Sequence, residues 1–423
     1  MTAHRVLNGS DEVIEFGELV ARDCPAPAPR WNGFPRYNFI GGHNDPAAVP
    51  VEALAEAAAR VIRAEGAALA TYNAGAGPLG NLRLRRAVAL KLARQRGIEG
   101  TADDVLITSG SLQGLDLVNA MLLEPGDTVL MEQLTYSGAI DRVRARGVRV
   151  EGVPVDEDGL SVADLEARLE RMAGSGVRPK YIYTIPTIQN PTGTVMSVAR
   201  RRALLAASER FGVPIFEDEC YADLLWEGEW PAALRGMPGG AQVVHIGSFS
   251  KSVAPALRLG YVSAEPAVLG RLVALKSDGG TAALEQMILA DFLGSRFDAH
   301  VAELKERLRH KLGGLVEALD ESFGTAARLW VPKGGIFLWL TLPEEVDTAA
   351  LATAAAAEGI AFNVGSAWAT DETVARHSLR LCFALPPAAD LREGVRRLAA
   401  VCQRETGIPR TSGNERFDGD ARR

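Results

Sequence analysis

Apolar and polar positions follow two different periods along this chain. From residue 51 to 63 the apolar side chains Val51, Leu54, Ala58, Val61 and Ile62 recur three and four residues apart, which predicts an amphipathic helix. Beyond it, short unbroken apolar runs take turns with helical patterns. Residues 105–108, 128–131, 148–153, 181–185, 213–216 and 243–246 are predicted strands. Residues 112–123, ended by Pro125-Gly126, and 199–211 are predicted helices, with another between the strands at 128–131 and 148–153. Strands apolar on both faces belong to a sheet covered on both sides, so the alternation predicts an α/β unit with a mostly parallel central sheet under helices.

After about Ala290 the texture changes. A long charged helix over 298–319, a strand over 334–340, an Ala-rich helix over 349–357, a strand over 379–383 and a last helix over 390–401 predict a second, smaller α+β domain. The expected division is an N-terminal arm at 1–50, a large domain at 51–295, a small C-terminal domain at 296–408 and a disordered tail at 409–423. Within the arm, residues 1–40 read as irregular, and Pro25-Ala26-Pro27-Ala28-Pro29 forces an extended path.

Charge and composition narrow the function classes. A formal net charge of −7 and the lack of a polybasic block argue against nucleic-acid and membrane-surface partners. The densest basic stretches, Arg200-Arg201-Arg202 and residues 305–311, fall in helical patterns and read as solvated faces. Cys24, Cys220, Cys382 and Cys402 include no close pair, so neither a disulfide framework nor a zinc site is indicated, which fits a reducing, cytoplasmic setting. Asp11, Glu12, Glu15 and Glu18 stand where a signal peptide would need an apolar segment, and no run approaches a membrane span.

Ligands of open parallel sheets bind beyond the carboxyl ends of the strands, and four motifs fall at such ends. Gly247-Ser248-Phe249-Ser250-Lys251-Ser252 follows the run at 243–246, and Arg258-Leu259-Gly260-Tyr261 begins seven residues past the lysine. A lysine at the end of a buried strand, with its pKa lowered, can hold an aldehyde as an imine and hand it to an incoming amine. Thr108-Ser109-Gly110-Ser111-Leu112-Gln113 leads a strand into a helix, where N–H groups and a positive dipole end suit a phosphate dianion. Ordinary helix capping accounts for the same residues. Gln189-Asn190-Pro191-Thr192-Gly193 either aims Asn190 into a cleft or is a plain turn. Glu217-Asp218-Glu219-Cys220-Tyr221 carries either a solvated loop charge or a carboxylate that keeps a pyridine nitrogen protonated, with Tyr221 donating to the ring's phenolic oxygen. Aldehyde, phosphate and lysine together point to pyridoxal phosphate (PLP).

In this order the motifs resemble those of a fold-type I PLP-dependent aminotransferase of class I/II, in the 2-aminoadipate and kynurenine aminotransferase-like branch. The likeness runs from about residue 39 to 401. It is carried by Tyr72 with Gly77-Pro78-Leu79-Gly80, Ser109-Gly110-Ser111, Tyr136-Ser137-Gly138, Asn190-Pro191-Thr192-Gly193, residues 218–221 and 248–251, Arg258-Leu259-Gly260-Tyr261 and Leu379-Arg380-Leu381. The resemblance implies a transaminase that moves the amino group of an α-amino acid to a 2-oxo acid such as 2-oxoglutarate. It implies that Lys251 binds the cofactor and later moves the substrate proton, that Asp218 pairs with the pyridine nitrogen, and that Asn190 and Tyr221 reach the phenolic oxygen. The backbone of Ser109, Gly110, Ser111 and Leu112, with Ser248, Ser250 and Arg258, would hold the phosphate, and Tyr136 would stack on the ring. Arg380 would fork onto the substrate carboxylate, under an arm at Gly41-Gly42. Tyr72 would reach the phosphate of a partner subunit, making a homodimer with shared active sites. No metal is expected.

Three departures from that pattern put the standard amino-acid substrate in question, the first of them removing a polar contact near the phosphate. Leu112 stands where such relatives usually carry glutamine, and Gln133-Leu134-Thr135-Tyr136 lacks the usual proline two residues before the tyrosine. Gly41-Gly42 is followed by His43-Asn44-Asp45-Pro46 in place of an apolar residue and proline, so His43 is either a new acid or base at the substrate or a loop histidine bonded to its surroundings. The same residues would also serve decarboxylation or oxygen-dependent oxidation of an amino-acid-like substrate. A non-enzymatic reading, the effector domain of a regulator, is disfavoured because about forty residues precede the likeness, too few for a DNA-binding domain.

Overall fold

The computed structural model describes residues 19–21, 24, 26–28 and 30–409. Asp11, Glu12, Glu15 and Glu18, the prolines at 25 and 29, and the predicted tail from 410 onward lie outside the described residues. By compactness the chain divides after Phe34. In the first unit the rings of Trp31 and Phe34 meet edge to face, with centroids 5.0 Å apart.

In the second unit the apolar runs become strands of one seven-stranded sheet: β1 (Val105–Thr108), β2 (Thr128–Glu132), β3 (Arg149–Val153), β4 (Ile182–Thr184), β5 (Ile215–Asp218), β6 (Val243–Ser248) and β7 (Gly260–Ser263). Their order is β1-β7-β6-β5-β4-β2-β3. All neighbouring pairs run parallel except β7, which is antiparallel to both β1 and β6. The mostly parallel α/β sheet is therefore present. Every residue of β1, β2, β4, β5, β6 and β7 is buried, which is why these segments read as continuous apolar runs.

Alternate residues of each strand serve opposite layers. Val129, Met131, Tyr183, Phe216, Val244 and Ile246 pack with α3 (Ser111–Leu122), α4 (Ser137–Arg144) and α7 (Pro266–Leu275). Leu130, Ile182, Ile215 and Val243 pack with α5 (Val162–Gly174) and α6 (Val198–Phe211). Beside them Val105, Ile107 and Tyr261 meet α2 (Leu82–Arg96) and α8 (Ala283–Ser295), and α1 (Val51–Glu65) packs on α8.

A second sheet, fully antiparallel, has the order β8-β9-β11-β10 from β8 (Arg328–Trp330), β9 (Phe337–Thr341), β10 (Asn363–Val364) and β11 (Ser378–Cys382). It shares a core with α9 (Phe297–Phe323), α10 (Thr348–Ala356) and α11 (Ala388–Thr406). The segment predicted irregular at 1–40 needs one correction. Tyr37–Asn38 is a short strand parallel to Ile360–Ala361, and Tyr37 and Phe39, two residues apart on one face, are buried in this second core. We propose the expected boundary at 295/296 as a division of this unit, because the two sheets have separate apolar cores and α8 gives way to α9 there.

The two basic stretches read as solvated faces each hold an exception. Lys311 is buried and pairs with Asp45 at 2.8 Å. Arg201 has 0% exposure, donates to the carbonyls of Met196, Pro186 and Ala232, and lies 3.6 Å from Glu219 and 3.9 Å from Glu217. A helical period places only one arginine of three toward solvent-free space, and the charge count alone does not tell which. Arg96 pairs with Glu219 as well, and His245 Nδ1 meets Glu217 at 2.9 Å. This buried network holds the end of β5 in place. The period of two then turns Glu217 and Glu219 toward the arginines and Asp218 the other way.

Replacing Arg96 by methionine leaves Glu219 buried with half its compensation. The expected cost is about 3 kcal/mol, read as a lower urea midpoint at unchanged slope; an unchanged midpoint would contradict the network's role.

Candidate active site

The carboxyl ends of β2, β4, β5 and β6 and the second sheet enclose a cleft of about 250 Å³. Gly41, Gly42, Ser111, Leu112, Tyr136, Asn190, Asp218, Tyr221, Ser248, Ser250, Lys251, Arg258 and Arg380 all line it, so the structure brings together most of the residues singled out from sequence.

Lys251 stands in the turn after β6, and its Nζ donates to Gly42 O at 2.6 Å. Burial lowers its pKa, and the nearby cations Arg380 and Arg258 add to the effect. A lysine at the end of an apolar strand thus reaches a site where the neutral amine is favoured. Asp218, at the end of β5, is 4% exposed, and accepts from Tyr183 Oη at 2.8 Å and from Cys220 N at 3.1 Å. Among the described residues it has no ion-pair partner, and burial raises its pKa. Tyr221 is buried beside it, its ring 5.3 Å from that of Phe337.

Arg380 comes from β11 of the second sheet. Its guanidinium lies 3.7 Å from the ring centre of Phe337 and 3.6 Å from that of Trp368. Both faces are covered, so only its edges can bond. Nη1 donates to Asn190 Oδ1 at 2.9 Å, and Nη2 to Asn363 Oδ1 at 2.7 Å and Gly41 O at 3.0 Å. Nε is buried without a partner, no carboxylate pairs with the group among the described residues, and burial brings its pKa down to about 10.

The segment expected to hold a phosphate has its own internal hydrogen bonds. Gly110 has φ 76° and opens α3, and Arg258, itself at φ 53°, lays its guanidinium where a Cβ at Gly110 would stand. The Ser109 N–H is already bonded to Gln113 Oε1 at 2.9 Å and the Gly110 N–H to Thr108 O at 2.8 Å. That leaves the first-turn N–H groups of Ser111 and Leu112, which have no intrahelical partner, to face an anion. Ser248 and Ser250 complete this end, Ser248 Oγ accepting the Ser250 N–H at 3.1 Å.

Two predicted residues lie elsewhere. Tyr72 is 89% exposed, on a surface segment whose Asn73 and Ala74 take positive φ, and does not line the cleft. His43 does not line it either. Its ring packs over Gly41, and burial followed by the charge of Lys251 lowers its pKa.

Sequence reading missed the residues that hold the cleft's loops. Glu132, at the end of β2, accepts from Thr184 Oγ1 at 2.6 Å, Ile185 N at 3.1 Å, Gln189 Nε2 at 2.9 Å and Thr135 Oγ1 at 3.4 Å. Burial pushes its pKa up to about 7. Through Gln189, which also donates to Leu134 O at 2.5 Å, it ties the Tyr136 loop to the Asn190 loop. Where the resemblance leads one to expect proline, Leu134 bridges to Ala369. A carboxylate ending an apolar run was the signal at Glu132, as at Asp218. Phe337, Trp368 and Asn363 carried no such signal, because only the fold brings them to Arg380.

These groups fit PLP. A buried carboxylate that lacks a cation suits a protonated ring nitrogen, helix-opening N–H groups with Arg258 suit a phosphate, and a desolvated amine suits an aldehyde. The model for the family described as aminotransferase class I and II matches residues 41–398. The chain is 32% identical over 371 residues to the aromatic-amino-acid aminotransferase 1 of Thermococcus litoralis, covering 87% of this chain and 88% of that one. It is similar to the crystal structure of LysN, an α-aminoadipate aminotransferase from Thermus thermophilus complexed with N-(5'-phosphopyridoxyl)-L-leucine (TM-score 0.79, 33% identity, 86% of this chain and 91% of that one). It is also similar to the multiple substrate aminotransferase from Thermococcus profundus (TM-score 0.85, 29% identity, 93% of this chain and all of that one). Decarboxylation and oxidation gain no support from these relatives. The fold, the PLP-dependent transfer of an amino group and the resemblance seen in the motifs all agree: the chain belongs to aminotransferase class I and II.

Proposed function

We propose that this transaminase takes the amino group of an α-amino acid and gives it to a 2-oxo acid such as 2-oxoglutarate, using Lys251 as the cofactor lysine. The observation that carries this reading is the pair of uncompensated charges facing one lysine: Asp218 without a cation and Arg380 without an anion among the described residues. When bound, PLP supplies an electrophilic aldehyde and an electron sink.

The protein's own residues do the rest. Asp218 keeps the ring nitrogen charged, and Tyr183 and the Cys220 N–H hold its carboxylate in place. Asn190 and Tyr221 would reach the phenolic oxygen, and Tyr136 would stack on the ring. The Ser111 and Leu112 N–H groups, Ser248, Ser250 and Arg258 would hold the phosphate. Arg380 offers its free Nε and the edge beside it to the substrate carboxylate, while Asn363 and Asn190 fix the guanidinium plane. Lys251, favoured as the neutral amine, would take the proton from the substrate's Cα and deliver it to the carbon that was the coenzyme's aldehyde, which leaves the nitrogen on the coenzyme. Gly41-Gly42 lies over the substrate.

The proposed active unit is a homodimer, with Tyr72 completing the partner's phosphate site. Its support is the exposure of Val51, Ile62, Leu69, Tyr72 and Leu82, an excess of large apolar side chains on one stretch of surface-forming chain. A cytoplasmic location is proposed on the four cysteines, all free thiols. The relatives' names, aromatic-amino-acid and α-aminoadipate aminotransferase, support a large side chain on the amino donor.

Turnover of an accepted amino acid is expected to stop without an added 2-oxo acid and to consume no oxygen. Oxygen uptake in the absence of any 2-oxo acid, followed with an oxygen electrode, would contradict transamination. Arg380→Ala is expected to raise KM for the amino acid about 30-fold, the scale of a charge-assisted pair, with the coenzyme's visible absorbance retained. If this variant loses the coenzyme instead, Arg380 has been misplaced.

A further inference from the structure

We propose that Asn44 is a positioning residue that sets the reactivity of Lys251 by clamping the arm to the lysine turn. The proposal rests on the reading of Lys251 as the cofactor lysine.

Residues 250–253 form a single turn closed by the N–H groups of Val253 and Ala254 on Phe249 O, at 2.9 and 3.3 Å. No backbone bond among those described takes up the four carbonyls of this turn. Two side chains from outside do so. Asn44 Nδ2 lies 3.2 Å from Ser250 O, 3.4 Å from Lys251 O and 3.5 Å from Val253 O, so its two N–H groups serve three carbonyls. Three acceptors around one nitrogen also fix which way the amide points. The fourth carbonyl, Ser252 O, faces His300 Nε2 at 3.0 Å.

The arm is anchored on its other side by the next residue. Asp45 pairs with Lys311 at 2.8 Å, and Lys311 also donates to Ala384 O at 2.5 Å. Lys311 and His300 both belong to α9, so one helix holds arm and lysine turn, and Asn44 joins the two directly. Two residues before Asn44, Gly42 presents its carbonyl to Lys251 Nζ at 2.6 Å. A Cβ at Gly42 would itself stand 2.6 Å from Nζ, so a side chain there would push the lysine's tip away. The arm therefore grips the lysine twice, by its backbone through Asn44 and by its tip through Gly42.

The sign of the effect follows from the dipole. The Gly42 oxygen is the negative end of its carbonyl and favours the protonated form of the lysine nitrogen. Without Asn44 the arm keeps the Asp45 ion pair and the Arg380 bond to Gly41 O but loses its tie to the lysine turn, so the Gly42 carbonyl withdraws from Nζ and that nitrogen loses its proton at lower pH. The other groups facing Lys251, namely Cys220, Cys382, Arg258, Arg380 and His43, stay as they are in the variants.

The test is a pH titration of the visible absorbance of the lysine-bound coenzyme in holoenzyme, for the parent chain, Asn44→Ala and Asn44→Leu. Leucine keeps the branched shape and removes the donor together with an amide oxygen that is buried without a partner, so it carries the test if the alanine variant does not fold. The expected result is a midpoint lower by about one pH unit in either variant, with kcat falling more than KM rises. Midpoints within about 0.2 unit of the parent, whatever the thermal stability does, would show a merely structural asparagine and overturn the proposal. Lys251→Ala runs alongside. If it keeps the titrating absorbance, the assignment of Lys251 fails and the proposal with it; if it is colourless, a flat Asn44 result condemns the clamp alone.

Discussion

A buried carboxylate with no cation beside it is the constraint around which this site is built. Burial makes the Asp218 carboxylate costly to ionise, and the neutral donors Cys220, through thiol and amide, and Tyr183 offset that only in part. A group that brings a positive ring nitrogen removes that cost and gains by it. The same economy of charge operates across the cleft, where Arg380 is held between two rings and three neutral oxygens and lacks an anion among the described residues. The protein alone thus leaves opposite charges facing a lysine whose own ammonium form is disfavoured by burial.

That arrangement depends on a network remote from the chemistry. Three acidic residues in succession end β5, and a strand's period of two must send Glu217 and Glu219 to the opposite side from Asp218. Arg96, Arg201 and His245 receive them there. On the cleft side Glu132 gathers donors from the Tyr136 and Asn190 loops, so the two loops share one anchor. Two sheets meet at this point. The parallel one supplies the lysine and the acid at strand ends, the antiparallel one supplies Arg380, and the arm from the second core closes over both.

Much of this was legible before any coordinates. Strands buried on both faces announce themselves as unbroken apolar runs, so β1, β2, β4, β5 and β6 were visible, and polar motifs after them marked the cleft. Lys251, Asp218 and Asn190 were singled out that way, and Arg380 through the resemblance alone. What stayed hidden is what a one-dimensional pattern does not encode. Arg201 sits among arginines in a polar-looking helix, and its burial follows from two glutamates on another strand. Tyr37 and Phe39 form too short a segment to show a period, yet their pairing with Ile360–Ala361 buries them. Trp368 and Phe337 meet Arg380 only because β9 and β11 are neighbours and the loop after β10 returns to them. The bonds that Ser109 and Gly110 make within their own turn, through Gln113 and Thr108, were likewise not legible from the motif. His43 drew attention as a titratable departure, but the more telling change is its neighbour Asn44, an amide with nothing in the sequence to say what it holds.

The central claim is that one amine, Lys251 Nζ, carries the coenzyme. Borohydride reduction of the holoenzyme followed by peptide mass spectrometry tests it most directly. The account predicts a stable phosphopyridoxyl mass increment on the peptide containing Lys251 and on no other lysine. A label on a different residue, or a fully reduced sample with Lys251 unmodified, would contradict it.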